Sequence, residues 1–367
     1  MNVYVIGAAT HPASVAERSL RLEEMAYRTS RAALEDARVS RHQLDHLTIG
    51  GCDELDGRPI SSMLMAAPAG GFLTDEMKVT DSGAMALCLG VARMLTGEFQ
   101  LGLVASWCKS SKTDVDAVMR YRGDPFYYRP IGMDLNMSHG LFAQAIADRF
   151  GVTEAEASRR AIDALRRASR NPRGVVRPEL TTEMAGASSY VATPVRETHC
   201  APLTDGGAAL VLASEQFLAR NPDVKPLARI TGVGWCVDSY RLDASRLKSL
   251  NSFKGAWDRA LKMAKLPDTS VFDVIELESP TSWHEAACVR ALGVEDETKI
   301  SPSGGAFAQN PLFCTGLVGA VEAVLQVSGR AGPVQRAGVR RAAAHSSHGF
   351  AQQGNVVMCF ESMEQNA

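Results

Sequence analysis

Two stretches of the chain repeat one order of apolar and polar positions. Residues 3–8 read VYVIGA and residues 227–235 read LARITGVGW, each a β-run closing on glycine. Further on, LEEMAYRTSRAALEDA and FKGAWDRALKMAK set apolar residues at helical spacing along one face. A turn and a buried strand follow in each, VSRHQLDHLTIGG and LPDTSVFDVIELES. Then come a small-residue turn and a helix, VTDSGAMALCLGVARMLTGE and PSGGAFAQNPLFCTGLVGAVEAVLQVSG, and another strand, FQLGLVAS and VRRAAAHSS. One series of elements met twice predicts two similar βαβ-rich halves, 1–225 and 226–367.

The stretches 82–95 and 314–327 have almost no polar face. A helix that is apolar all round must be covered on every side. One such helix per half predicts a central helical layer between two sheets, with the amphipathic helices outside. The expected α/β architecture is five layers, α/β/α/β/α. The segment from about 109 to 195 interrupts the repeat. It is rich in Arg, Tyr and Pro, holds MRYRGDPFYYRP and a helix around 141–150, and reads as an insertion from the first half. Substrate contacts are often carried by such loop regions on a rigid scaffold.

Charge and composition narrow the function classes. Lys and Arg number 39 against 41 Asp and Glu, for a net charge of -2. That gives no electrostatic case for nucleic acid or an anionic membrane as main partner. The 46% apolar content excludes a mostly disordered chain, and no apolar run approaches the roughly 18 residues of a membrane span. The opening MNVYVIGAAT reads as a strand without a basic leader. Eight cysteines at 52, 88, 108, 200, 236, 288, 314 and 359 include no CxxC pair. Neither a disulfide framework nor a zinc site is indicated, and a reducing, cytoplasmic compartment is expected.

The blocks HPASVAERS, DSGAMAL, MSHGLFAQAIADRFG, NPRG, HCAPLTDGGAALVLAS, VIELESPTSWHEAA, SPSGGAFAQNP and HSSHGFAQQGNVVM occur in that order along the chain. Together they make it resemble the thiolase superfamily, particularly the sterol-carrier-protein-type thiolases, over essentially its whole length. The resemblance implies a five-layer thiolase-like fold and a homodimer that pairs through the strand at 78–80. It also implies chemistry on acyl-CoA or other acyl thioesters that makes or breaks C–C bonds. Coenzyme A thioester is then substrate, with no resident cofactor or metal. A small OB-fold protein or a second thiolase-like chain is the implied protein partner.

The family's reactive positions are altered here. Thr80 stands where the resemblance puts the nucleophilic Cys, followed by Asp81, Ser82 and Gly83. A Thr hydroxyl is not ionised at neutral pH without a strong adjacent base. Glu278 stands in place of an Asn or His, and Gln309-Asn310-Pro311 in place of Gly-His-Pro. His348 fits the Cys or His of the last strand pair, with His345 three residues earlier. His139 matches a His in the insertion of related acyl-transferring proteins.

Burial would raise the pKa of Glu278 and suit it to general acid or base work; otherwise it pairs with an Arg. Two His and two Ser at 345–348 suit proton transfer or a structural hydrogen-bond role. Asn310 can donate an amide N–H to a thioester or enolate oxygen, though it cannot transfer a proton. Ser82 reads as a helix cap, Cys88 as core, and Cys314 as a buried small residue or a reactive thiol at a helix start. The run Arg159, Arg160, Arg166, Arg167, Arg170, Arg173 and Arg177 reads as a solvated face. In the resembling family that region lies over the CoA nucleotide. Thr80, Glu278, Asn310 and His348 are expected to meet in one cavity between the halves. Two function classes stand: an acyl-thioester enzyme without the usual Cys, and a silent thiolase-like subunit that scaffolds an active partner.

Overall fold

The computed structural model describes residues 2–57 and 60–363. Its strands, in chain order, are β1 Val3–Ser14, β2 His46–Gly51, β3 Asp75–Thr80, β4 Leu101–Lys109, β5 Tyr190–Ala192, β6 Val195–Arg196, β7 Asp205–Ser214, β8 Ala228–Val237, β9 Val274–Leu277, β10 Arg341–His348 and β11 Gly354–Ser362. The helices that position the site are α1 Leu22–Ala37, α2 Gly83–Leu95, α3 Leu135–Phe150, α4 Glu154–Ala168, α5 Asn251–Ala264, α6 Ser282–Leu292 and α7 Thr315–Val327.

Nine strands order as β3-β2-β4-β7-β1-β8-β11-β10-β9. In the first half β2 runs parallel to β3 and β4, and β7 runs antiparallel to β4 and β1. In the second half β9 runs parallel to β10, and β11 antiparallel to β10 and β8. The counterpart of β3 is reduced to an isolated parallel bridge between Ile275 and Ile300. The repeat read from the sequence is thus present in the topology. One expectation needs correcting: the two sheets are joined. Val3, Tyr4 and Val5 pair with Ile230, Arg229 and Ala228, making one continuous sheet across the seam.

The two nearly all-apolar helices, α2 and α7, pack against each other and against both halves of the sheet. Leu87, Val91 and Met94 of α2 share one core with Leu317, Val321 and Val324 of α7 and with Val104, Leu210, Val274 and Val356 of the strands. Burial of each such side chain contributes about 2 kcal/mol. Glycines let the helix starts approach so closely. A Cβ on Gly83 would sit 2.9 Å from Leu317 Cβ, and one on Gly316 2.4 Å from Ser346 Cβ. On the outer face of the first half α1 packs Met25, Ala33 and Leu34 onto Ile6, Leu47 and Leu103. On that of the second half, α3, α5 and α6 pack Phe142, Phe253, Trp257 and Trp283 onto Ile275, Leu277 and Ala343. Five layers result.

The insertion lies between β4 and β7 and is mainly helical, with the small β5–β6 hairpin. Its helix α3 begins earlier than the expected 141, because Asp134 accepts from Met137 N–H and caps it at Leu135. The Arg-rich stretch is only partly a solvated face. Arg160, 3% exposed, is ion-paired with Glu156, Glu285 and Glu297; Arg167 pairs with Glu285 and Arg173 with Glu322. These guanidiniums fasten the insertion to the second half.

Candidate active site

Strand β9 sorts its side chains by alternation. Val274 joins the central core, whereas Ile275 and Leu277 join the outer one. Glu276, and Glu278 just past the strand end, therefore share the central face and line a small cavity with Thr315, Gly319 and Glu322 of α7. Glu278 is tied to β10. Its N–H donates to the His345 carbonyl at 3.0 Å, and Ser346 Oγ donates to its Oε2 at 2.7 Å. The residue is half-buried, but protein encloses its carboxylate and burial pushes its pKa up to about 7. The Ser346 hydroxyl and the Ser347 N–H oppose that shift. A carboxyl poised there suits proton transfer near neutrality.

The start of α7 forms the next wall. Asn310 is locked on three sides: its N–H donates to Thr204 Oγ1 at 2.9 Å, its Nδ2 donates to the Ala201 carbonyl at 3.1 Å, and its Oδ1 accepts from Thr315 Oγ1 at 2.9 Å. Cys314 occupies the N-cap position of α7, fully buried beside Ser106, and burial pushes its thiol up to about 12. The helix end does not produce a thiolate there. Burial likewise pushes Cys200 up to about 12 and Cys88 higher still. Cys88 packs in the central core, as its sequence position suggested.

The other residues read from the sequence fall elsewhere. Thr80 is exposed at the end of the edge strand β3, opposite Gly51. The next residue, Asp81, has φ of 67° and forms an ion pair with Arg122. The α2 N-terminus is occupied: Ser82 Oγ accepts from Met85 N–H at 3.1 Å, and Gly83 N–H donates to the Phe313 carbonyl at 2.8 Å. His345 lies on the opposite face of β10 from Ser346. There it meets Phe253 edge-on, and its Nε2 lies 2.8 Å from Asn355 Oδ1. His139, on α3, packs edge-on against His284, which stacks on Phe142. Burial lowers the pKa of His139 and His345 to about 4, so both are neutral. His348 is half-buried at the end of β10, against Gly354, with Nδ1 unpartnered among the described residues and its pKa lowered by burial.

The expected meeting of Thr80, Glu278, Asn310 and His348 in one cavity is thus not what the fold builds. The cavity beside Glu278 measures about 10 Å³ and is lined by Glu276, Ser303, Gln309 and Thr315 but by none of the other three. Strand alternation turns His345 away, and the edge position of β3 leaves Thr80 at the surface. Sequence reasoning missed Glu276 and Glu322, and it grouped Ser346 with its neighbours without pairing it to Glu278. The signal for Glu276 was available: two carboxylates two residues apart in the otherwise apolar VIELES fall on one face of a strand. Among the described residues no group of three or more His, Cys, Asp or Glu is placed to hold a metal ion, and no helix is long and apolar enough to cross a membrane.

Comparison with known proteins supplies the context. No family model matches the chain. It is 26% identical over 346 residues to an acetyl-CoA acetyltransferase of Methanothermobacter thermautotrophicus, covering 86% of this chain and 88% of that one. It is 24% identical over 347 residues to non-specific lipid-transfer protein-like 2 of Caenorhabditis elegans, covering 83% and 82%. A shorter match, 31% identical over 169 residues, links 40% of it to 31% of sterol carrier protein 2 of Gallus gallus. Among solved structures it superposes on two of human mitochondrial 3-ketoacyl-CoA thiolase, one of them in complex with CoA, each at a TM-score of 0.80 and 17% identity. The superposition covers 99% of this chain and 99% and 98% of the two thiolase chains. Near full-length likeness to an acetyl-CoA acetyltransferase and a lipid-transfer protein-like chain, a partial likeness to sterol carrier protein 2 and a shared thiolase fold together support a thiolase-superfamily protein of the sterol-carrier-protein type.

Proposed function

We propose that the chain is an enzyme acting on acyl-CoA or another acyl thioester, making or breaking a C–C bond by acid/base chemistry without an acyl-cysteine. The observation that carries this reading is Glu278: a carboxyl enclosed at the start of α7, hydrogen-bonded by Ser346, with its pKa pushed up to about 7. The names of the relatives support an acyl-CoA substrate, and the CoA complex of a structural neighbour supports coenzyme A thioester as the form delivered. In the retro-aldol direction, Glu278 takes the β-hydroxyl proton of a β-hydroxyacyl thioester. The Cα–Cβ bond breaks and its electron pair moves to the thioester carbonyl as an enolate. Protonated Glu278 then returns its proton to Cα. Asn310 and His348 do not line the cavity beside Glu278 and take no step in it. Thr80, His139 and His345 take no chemical step.

The chain forms a homodimer in this reading, through the exposed edge strand β3 and the exposed Met63, Phe72, Leu73 and Met77. Light scattering should give twice the 39.4 kDa chain mass. Eight unpaired cysteines fit the cytoplasm. The test of activity is incubation with a panel of acetyl-, β-hydroxyacyl- and β-ketoacyl-CoAs, read by mass spectrometry. The proposal expects C–C products with no covalent adduct. A second reading, the silent subunit that supports a thiolase-like or small OB-fold partner, is favoured by the cavity's size of about 10 Å³ and the occupied α2 N-terminus. It predicts neither thioester binding nor turnover.

A further inference from the structure

Glu278 has a neighbour of its own kind. Glu276 is 1% exposed on the same face of β9, and the cavity of about 10 Å³ is bordered by both carboxylates. That volume admits one water, and Gln309 and Thr315 supply further polar walls. Glu322 closes the far side, but its carboxylate is already engaged. Its Oε1 accepts from Asn171 Nδ2, Arg173 Nε and Gln309 Nε2, and its Oε2 accepts from Arg173 Nη2. Among the described residues Glu276 accepts from Ser303 alone, from its N–H at 3.3 Å and its Oγ at 2.6 Å. It sits beside the Glu322 anion, with the Arg167 guanidinium a weaker influence. Burial first, then Glu322, pushes its pKa up to about 8. Around Glu278 the facing groups are Ser346, the Ser347 N–H and the Cys314 thiol.

We propose that Glu276 is a positioning acid, which holds a proton and donates it as a hydrogen bond, through one cavity water, to the Glu278 carboxylate. The inference rests on the reading of Glu278 as the base. No bond to substrate is involved; the proton stays on Glu276, and the water passes on a donor hydrogen. Ionisation of Glu276 would place a second buried anion beside the position where negative charge develops and turn the water's donor away from Glu278. Activity should therefore rise as Glu278 ionises and fall as Glu276 ionises.

The test is the pH profile of turnover for the full chain, for Glu276→Gln and for Gly319→Ala. Glu276→Gln keeps size and supplies a permanent N–H donor. It should retain the acidic limb and lose the alkaline one, raising the ratio of activity at pH ~9 to that at pH ~7.5 by about 10-fold. Gly319→Ala leaves both carboxyls in place. Its Cβ would lie 3.9 Å from Glu276 Cβ, without a clash, so the methyl displaces the water rather than the fold. Ala also suits a helix better than Gly. This variant should move the acidic limb to higher pH. A Glu276→Gln profile parallel to wild type, or an unmoved limb in Gly319→Ala, overturns the proposal even with Glu278 intact as base. If the wild type turns nothing over, infrared titration of the carboxyl bands decides. Removal of either Glu should move the midpoint of the other, and Gly319→Ala should weaken that coupling; independent midpoints, or coupling unchanged in Gly319→Ala, overturn the proposal, whereas coupling that Gly319→Ala weakens upholds the water link and leaves only the functional reading refuted.

Discussion

The two faces of the second-half sheet hold very different chemistry. On the central face Glu276, Glu278 and Ser346 gather at the start of α7, with acidic protons held near neutrality. On the outer face His345 meets Phe253, His284 meets His139 and Phe142, and every imidazole is neutral. Successive residues of one strand, His345 and Ser346, belong to different environments. What separates a reactive group from a core group here is strand parity, not residue type. Histidine, the usual choice for acid/base work, is packing material on one face, whereas the groups poised to titrate on the other are glutamates.

The comparison breaks first if Glu278 is dispensable. Glu278→Gln should lower turnover of the natural acyl thioester about 10²–10⁴-fold with binding largely kept, measured by steady-state kinetics. Cys314→Ala should keep turnover, because its thiol is pushed up to about 12 in a fully buried site.

His345→Ala should act on stability instead. It removes a buried ring and leaves Asn355 Oδ1 without that partner, at a cost of about 2–4 kcal/mol in chemical denaturation. The turnover of the folded fraction should be retained. Loss of turnover without loss of stability would erase the distinction between the faces.

A pH series sharpens the contrast, because the faces have opposite signs. Burial lowers the pKa of His46, His139, His199, His284, His345 and His348 in the folded state. Their stabilisation is present above the unfolded value of about 6.5 and is lost as pH falls below it. Glu276 and Glu278 are raised to about 8 and about 7. Their contribution is fully present below the unfolded value of about 4.3 and is lost as pH rises through 7 and 8. Thermal melts should therefore be highest near pH ~6.5 and fall toward pH ~8.5, and Glu276→Gln should flatten the alkaline fall.

The smallest effect is expected at Thr80. Thr80→Cys should alkylate with iodoacetamide at the rate of an ordinary exposed thiol, because Phe313 and Ser82 already occupy N–H groups of the α2 start. A markedly faster rate would mean that the helix end still activates this position.

Much of the fold was legible because the repeat is written in periodicity. The stretches 82–95 and 314–327 became α2, Gly83–Leu95, and α7, Thr315–Val327, each one residue shorter at the start. The site was less legible. Glu278 could be found from its place after a buried strand, but its partner Ser346 depended on which of four polar residues at 345–348 faces the centre. The strand itself is too short of apolar alternation to tell: Ala342, Ala343 and Ala344 are alike on both faces. The joined sheets depend on three residue pairs between distant strands, which no local pattern records. The ion pairs of Arg160 and Arg173 are likewise non-local, so a helix face rich in Arg looked solvated.

The central claim is that Glu278 on the inner face forms and quenches an enolate without a thiolate. Solvent-deuterium exchange at the α-carbon of an acyl-CoA product in D₂O, followed by mass spectrometry, tests it most directly. Wild type and Cys314→Ala should exchange the α-hydrogens, and Glu278→Gln should fall to the background rate. Exchange that survives Glu278→Gln, or an acyl adduct on Cys314 that accompanies it, would contradict the account.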